Sequence, residues 1–148
     1  MAVNPVIAGK VYPPAPVYEV GREKIAEFAT GIGSADPVHR DPAAARALGY
    51  TDVIAPPTFA VLVAQRSEFQ LIQDPGSGID FSRVVHGEER FQHHRPIVAG
   101  DRLVATLHVD GVRSVGGHSM VTTRVEIADD AGAPVSTVTS TLVVRGED

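Results

Sequence analysis

The most constraining stretch of this chain is Pro56-Pro57-Thr58 followed by Phe59-Ala60-Val61-Leu62-Val63-Ala64. Two prolines suit the entry to a helix, where the missing N–H has no intrahelical partner anyway and the fixed φ is already helical. The run behind them continues without Gly or Pro to Gln73, and Asp74-Pro75-Gly76-Ser77-Gly78 then reads as a loop. A helix over about 57–73 is therefore expected. Its first half is apolar on most sides, and such a helix must be enclosed. Its second half, from Arg66, is amphipathic, with Phe69, Leu71 and Ile72 apolar.

The rest of the chain supplies the enclosure. Val121, Thr123, Val125 and Ile127 alternate with Thr122, Arg124 and Glu126, a period of two that argues a half-buried strand. Strands are expected at 84–85 with 89–94, 102–113, 119–128 and 134–145. Turns fall at Ala99-Gly100-Asp101, Val115-Gly116-Gly117 and Asp129-Asp130-Ala131-Gly132. Consecutive strands with short turns make an antiparallel sheet, and a helix followed by such a sheet is an α+β arrangement. Upstream, residues 11–20 carry Pro13, Pro14 and Pro16, so they are extended, as an edge strand or a wrapping arm. A first helix over 22–30 places Ile25, Phe28, Ala29 and Ile32 at the spacing of a buried stripe.

Between these helices lies a short polar loop, Gly33-Ser34-Ala35-Asp36-Pro37-Val38-His39-Arg40-Asp41-Pro42. Asp41 and Pro42 suit the N-cap and first position of a small helix, which Gly49 would end. His39 is the chemical candidate, since a neutral imidazole takes or gives a proton near pH 7. The bland alternative is a loop histidine bonded to a nearby backbone group. Asp36 shapes the turn before Pro37 or orients His39.

Composition excludes several classes. The 148 residues suit one domain, 1–148, and carry a net charge of −5 with no basic run, which argues against nucleic-acid binding. The absence of cysteine excludes disulfides, thiol nucleophiles and thiolate metal sites. His86, His93, His94, His108 and His118 show no zinc-type spacing, so no metal is expected. The first residues do not read as a signal peptide and no apolar run spans a bilayer, so a soluble cytoplasmic protein with no membrane partner is expected.

Gly33-Ser34-Ala35-Asp36-Pro37-Val38-His39 resembles the signature of the MaoC-like dehydratases, the (R)-specific enoyl-thioester hydratases, whose pattern is Gly-Asp-x-Asn-Pro, an aliphatic residue, then His. Gly33, Pro37, Val38 and His39 match, Asp36 replaces the Asn, and Ser34 stands where the family carries its catalytic Asp. The similarity continues through Gly49-Tyr50, Ile54-Ala55-Pro56-Pro57-Thr58-Phe59 and Arg95-Pro96-Ile97-Val98-Ala99-Gly100-Asp101, over nearly the whole chain. It implies a hot-dog fold, a sheet wrapped around the long helix, and pairing of two such domains as a homodimer or with a homologous subunit.

The activity it implies is reversible dehydration of a (3R)-hydroxyacyl thioester of coenzyme A or acyl-carrier protein, with no redox cofactor or metal. The resemblance places His39 at the family's catalytic histidine. It places Ser34, a poor base, at the catalytic aspartate. Pro57 falls where a family glycine offers its N–H to the thioester carbonyl, which moves that binding role to the N–H of Thr58 or Phe59. Arg95 is either a surface charge or a contact for a carrier phosphate. A subunit that shapes the acyl tunnel beside a catalytically complete partner is the leading expectation. The alternatives are a self-contained hydratase or thioesterase using His39, and a non-enzymatic acyl-thioester binding protein.

Overall fold

The structure, a computed structural model, describes residues 3–147. In chain order it contains β1 (Tyr18–Glu19), α1 (Arg22–Gly31), α2 (Pro42–Ala47), α3 (Ala60–Gln73), β2 (Val84–His93), β3 (Arg102–Val115), β4 (His118–Asp129) and β5 (Pro134–Val144). A single 3-10 turn, Pro57–Phe59, leads directly into α3. The strands form one antiparallel sheet in the order β1-β3-β4-β5-β2, packed against α3 as the hot-dog resemblance implied.

The period-two pattern decides which face of the sheet is covered. Leu103, Ala105, Leu107 and Val109 on β3 alternate into the core with Val121, Thr123, Val125 and Ile127 on β4 and with Val138, Ser140, Leu142 and Val144 on β5. The intervening residues form the outer face, where Arg124 reaches Asp110 and Glu126. The proline-rich segment runs along the free side of β3. Gly9, Tyr12 and Ala15 donate their N–H groups to the carbonyls of Val109, Leu107 and Ala105 at 2.8, 2.9 and 2.9 Å. Only Tyr18–Glu19 pairs regularly, since the prolines have no N–H to give.

The buried positions of α3 are Ala60, Val63, Ala64, Ser67, Glu68 and Leu71. This is an i, i+3, i+4, i+7, i+8, i+11 stripe on one side of the helix. The enclosure expected on all sides is thus one-sided. Phe59 and Val63 are buried, whereas Val61 and Leu62 are half-buried and Phe69 is 50% exposed. Helical phase puts Glu68 on the core stripe and turns Phe69 out, against the simple hydropathy order. Burial pushes the Glu68 carboxyl up from its ordinary range, and a hydrogen bond from Ser140 partly offsets the shift. Ile32, expected in the stripe of α1, is 52% exposed because α1 ends at Gly31 and Ile32 only caps it.

Candidate active site

The polar loop is built from local rules. Gly33 adopts φ +75°, a left-handed turn that a side chain would strain, and redirects the chain after α1. The Asp36 carboxylate accepts from the Val38 N–H at 3.0 Å and caps the 3-10 turn Pro37–His39. Asp41 caps α2 through the Ala43 N–H at 2.9 Å, with Pro42 in the first turn as expected. His39 closes the turn and is only 8% exposed.

The ring of His39 is held by the backbone. Its Nδ1 lies 2.7 Å from the Ile54 carbonyl. A carbonyl only accepts, so Nδ1 carries the proton, and in the neutral ring Nε2 keeps the lone pair. Ile54 N–H donates in turn to the Val38 carbonyl at 3.2 Å, which ties the turn to the segment before α3. That segment bonds to a second one. The Ala55 N–H donates to Ile97 O at 2.8 Å and the Ala99 N–H to Val53 O at 3.0 Å. Asp101 secures this second segment by accepting from the Val98 N–H and from both terminal nitrogens of Arg95, at 2.8, 2.8 and 3.1 Å.

These pieces wall a cleft of about 390 Å³, in which His39 faces Ile54–Pro57 on one side and His93–Ile97 on the other. Its walls are mainly aliphatic and proline, with His93, His94 and Arg95 at the polar margin; among the described residues no carboxylate lines it. His39 Nε2 has no hydrogen-bond partner among the described residues and belongs to a side chain bordering this space. The arrangement offers one oriented proton acceptor beside apolar walls, which can take a proton from a substrate carbon or, once charged, return one.

The other sequence candidates fall as follows. Ser34 is in the loop after α1, its carbonyl accepting from Arg40 Nη2 at 2.6 Å, and its side chain does not line the cleft. Asp36 serves the cap, and the Ile54 carbonyl orients His39 instead. Phe59 is fully buried, edge-on to Phe28 at 5.5 Å and Tyr18 at 6.3 Å, and its N–H donates to Pro56 O at 2.9 Å. Its N–H is therefore committed. Thr58 is exposed and its N–H has no partner among the described residues, so the free donor at the start of the long helix is Thr58. The guanidinium of Arg95 is engaged by Asp101. Sequence reasoning missed that His93 and His94, adjacent at the end of β2, both border the cleft. The strand ends at His93, so strand alternation no longer separates the two rings.

Residues 8–138 match the family model described as FAS1-like, dehydratase domain region. The chain belongs to that dehydratase family. Within it, the chain is 53% identical to a UPF0336 protein of Saccharopolyspora erythraea over 146 residues, 99% of this chain and 94% of the relative. It is 47% identical to a UPF0336 protein of Streptomyces avermitilis over the whole chain and 99% of the relative. Among solved structures, a MaoC-like dehydratase superposes with TM-score 0.88 at 36% identity over 96% of this chain, which spans only 43% of that longer protein. The C-terminally truncated HadBC complex of Mycobacterium tuberculosis, a (3R)-hydroxyacyl-ACP dehydratase, superposes with TM-score 0.83 at 32% identity over 93% of this chain and 96% of its own. No helix among the described residues of this family member is long and apolar enough to cross a membrane.

Proposed function

We propose that this chain is a subunit of a cytoplasmic (3R)-hydroxyacyl-thioester dehydratase that shapes the acyl tunnel beside a homologous chain carrying the complete Asp–His pair. The observation behind this reading is the cleft itself, where an oriented imidazole borders apolar walls that include no carboxylate. Dehydration needs a base for the proton at C2 and an acid for the departing 3-hydroxyl. This chain offers only one such group, His39 Nε2, since Ser34 stands in the second position and lies outside the cleft, so both transfers fall to the partner's Asp–His pair. Thr58 N–H is the donor for the thioester oxygen.

Pairing is supported by β2, whose outer edge has no neighbouring strand in the sheet order. Apolar Phe69, Phe81 and Val85 are exposed around it at 50, 63 and 47%. A homologous chain adding its own β2 there would make the two sheets continuous. The carrier is coenzyme A or acyl-carrier protein, and no cofactor is needed for the two proton transfers.

The test is hydration of crotonyl and longer enoyl thioesters by the chain alone and mixed with a homologous subunit that has both Asp and His. The chain alone is expected to be at least about 10²-fold slower, the share of one general acid–base group. In the mixture, His39→Ala costs little and loss of the partner's histidine abolishes turnover. One observation favours a second reading: His39 is held and its Nε2 is free, as a self-contained hydratase would require. Robust hydration by the chain alone, lost on His39→Ala, would establish that reading and overturn the first.

A further inference from the structure

A second cluster of titratable side chains lies at the opposite end of β2. Glu68 comes from α3, His86 and Glu89 from β2, and Ser140 from β5. His86 and His93 are seven residues apart on the strand, roughly 20 Å, so the cluster is remote from the cleft. Ser140 Oγ lies 2.9 Å from Glu68 Oε1 and 2.9 and 2.8 Å from the two oxygens of Glu89. One hydroxyl proton cannot serve both carboxylates, and their negative charge converges with no Lys or Arg joined to either.

Two further observations point to what completes the cluster. Glu68 is 6% exposed, and Oε1 alone takes its hydrogen bonds, from Ser140 and from Thr123 at 3.4 Å. Oε2 has no partner among the described residues, and the side chain borders a cavity of about 240 Å³ that His86 also lines. The other walls are Gln65 and the apolar Phe69, Ile72, Phe81, Val84 and Leu142, and none of them bonds that oxygen, which is open to the cavity. The second observation is ligand spacing. One donor atom from each of Glu68, His86 and Glu89 falls within a mutual 4.8 Å. Donors about 2.05 Å from a tetrahedral ion lie roughly 3.3 Å apart, and His86 Nε2 is 3.4 Å from Glu89 Oε1.

We propose that Glu68, His86 and Glu89 form a divalent metal site that ties α3 to the edge strand β2 and leaves a coordination position open toward the cavity. Two carboxylates and an imidazole, with no thiolate, suit zinc, cobalt or manganese. Ser140 sits between the two carboxylates and donates its one proton to either of them, the supporting role that outer groups play around such ions. The sequence offered no hint, because the three ligands come from two elements that only the fold brings together. The site shares Phe69 and Phe81 with the proposed pairing surface but none of the residues of the His39 cleft, so it survives the failure of the dehydratase reading.

The test titrates Zn²⁺ and Co²⁺ into the untagged, metal-free full chain, reading heat and, for Co²⁺, visible absorption. One ion per chain is expected at micromolar affinity. Glu68→Gln, Glu89→Gln and His86→Gln should each weaken it by about tenfold or more, with His108→Asn as the control that leaves it unchanged. His86 has 43% of its side chain exposed, so that variant folds whatever happens at Glu68. Absence of binding at submillimolar metal overturns the proposal, and so does binding that survives all three substitutions. Sharing of a proton between Glu68 and Glu89 in place of a cation would give the first of these results.

Discussion

The two ends of β2 border opposite kinds of polar arrangement. At its C-terminal end, the cleft around His39 is assembled from irregular segments, and the backbone does the positioning: the Ile54 carbonyl holds the imidazole, and main-chain bonds tie residues 53–55 to 97–99. At its N-terminal end, Glu68, His86 and Glu89 project from a helix and a strand, and side chains position one another through Ser140. The cleft is mainly apolar, with the His39 ring held by the backbone and His93, His94 and Arg95 at its margin. The cluster has an excess of negative charge beside an apolar cavity. Loops can aim main-chain dipoles at a reacting atom, whereas regular elements have bonded their main chain already and offer only side chains.

The comparison breaks most visibly if the cleft is not anchored to the core. Phe59→Ala should cost about 3–5 kcal/mol, as large aromatic truncations in packed cores do, because the ring touches Phe28 and Tyr18 directly beneath the segment that holds His39. Urea denaturation measures this, and a cost under about 1 kcal/mol would mean that the cleft rests on its loops alone. Next in size is Asp101→Ala, which removes the acceptor for Arg95 and for the Val98 N–H. A loss of about 1.5–3 kcal/mol is expected from hydrogen bonds to a charged group, together with faster amide exchange at Ala55 and Ala99, whose bonds cross the same seam.

A smaller effect sharpens the contrast between backbone and side-chain positioning. Asp36→Ala removes a cap and should cost about 1 kcal/mol. The proton should nevertheless stay on His39 Nδ1, read by nitrogen-15 shifts of the ring, because Ile54 rather than Asp36 holds it. A changed tautomer would return the orienting role to Asp36.

The smallest effect concerns neither site. Asp74, at the end of α3, accepts from Lys10 Nζ and Tyr12 OH, both at 2.6 Å, and from the Gly76 N–H at 2.9 Å, contacts that hold its carboxyl down to about 2. A depressed folded value means the group stabilises the fold above the unfolded pKa, near 4, and loses that contribution as pH falls toward 2. Asp74→Asn should therefore flatten the acid limb of a stability-versus-pH curve between those limits and leave α3 in place. An unchanged limb would show that the contribution of these contacts is screened away.

Local signals carried the framework of this protein. Asp41-Pro42 marked the start of α2, the prolines at 56 and 57 marked the entry to the long helix, and the alternation from Val121 to Ile127 marked β4. These depend on residues a few positions apart, which is the range over which capping, φ restriction and side-chain alternation act. The motif order around His39 also pointed to the cleft before its walls were known. What lay beyond reach depended on phase and on long-range pairing. Helical phase, set where α3 meets the sheet, buried Glu68 and turned out Phe69, one of the apolar positions of the helix's second half. The Ile54 carbonyl reached His39 across fifteen residues, and the carboxylates of Glu68 and Glu89 met at Ser140, 72 and 51 residues away in sequence. Sequence alone determined which segments are helix and strand, because each is decided by its neighbours. Only the tertiary structure decided which polar groups face one another, because a hydrogen bond is a matter of distance in space, which the packing of α3 against the sheet sets.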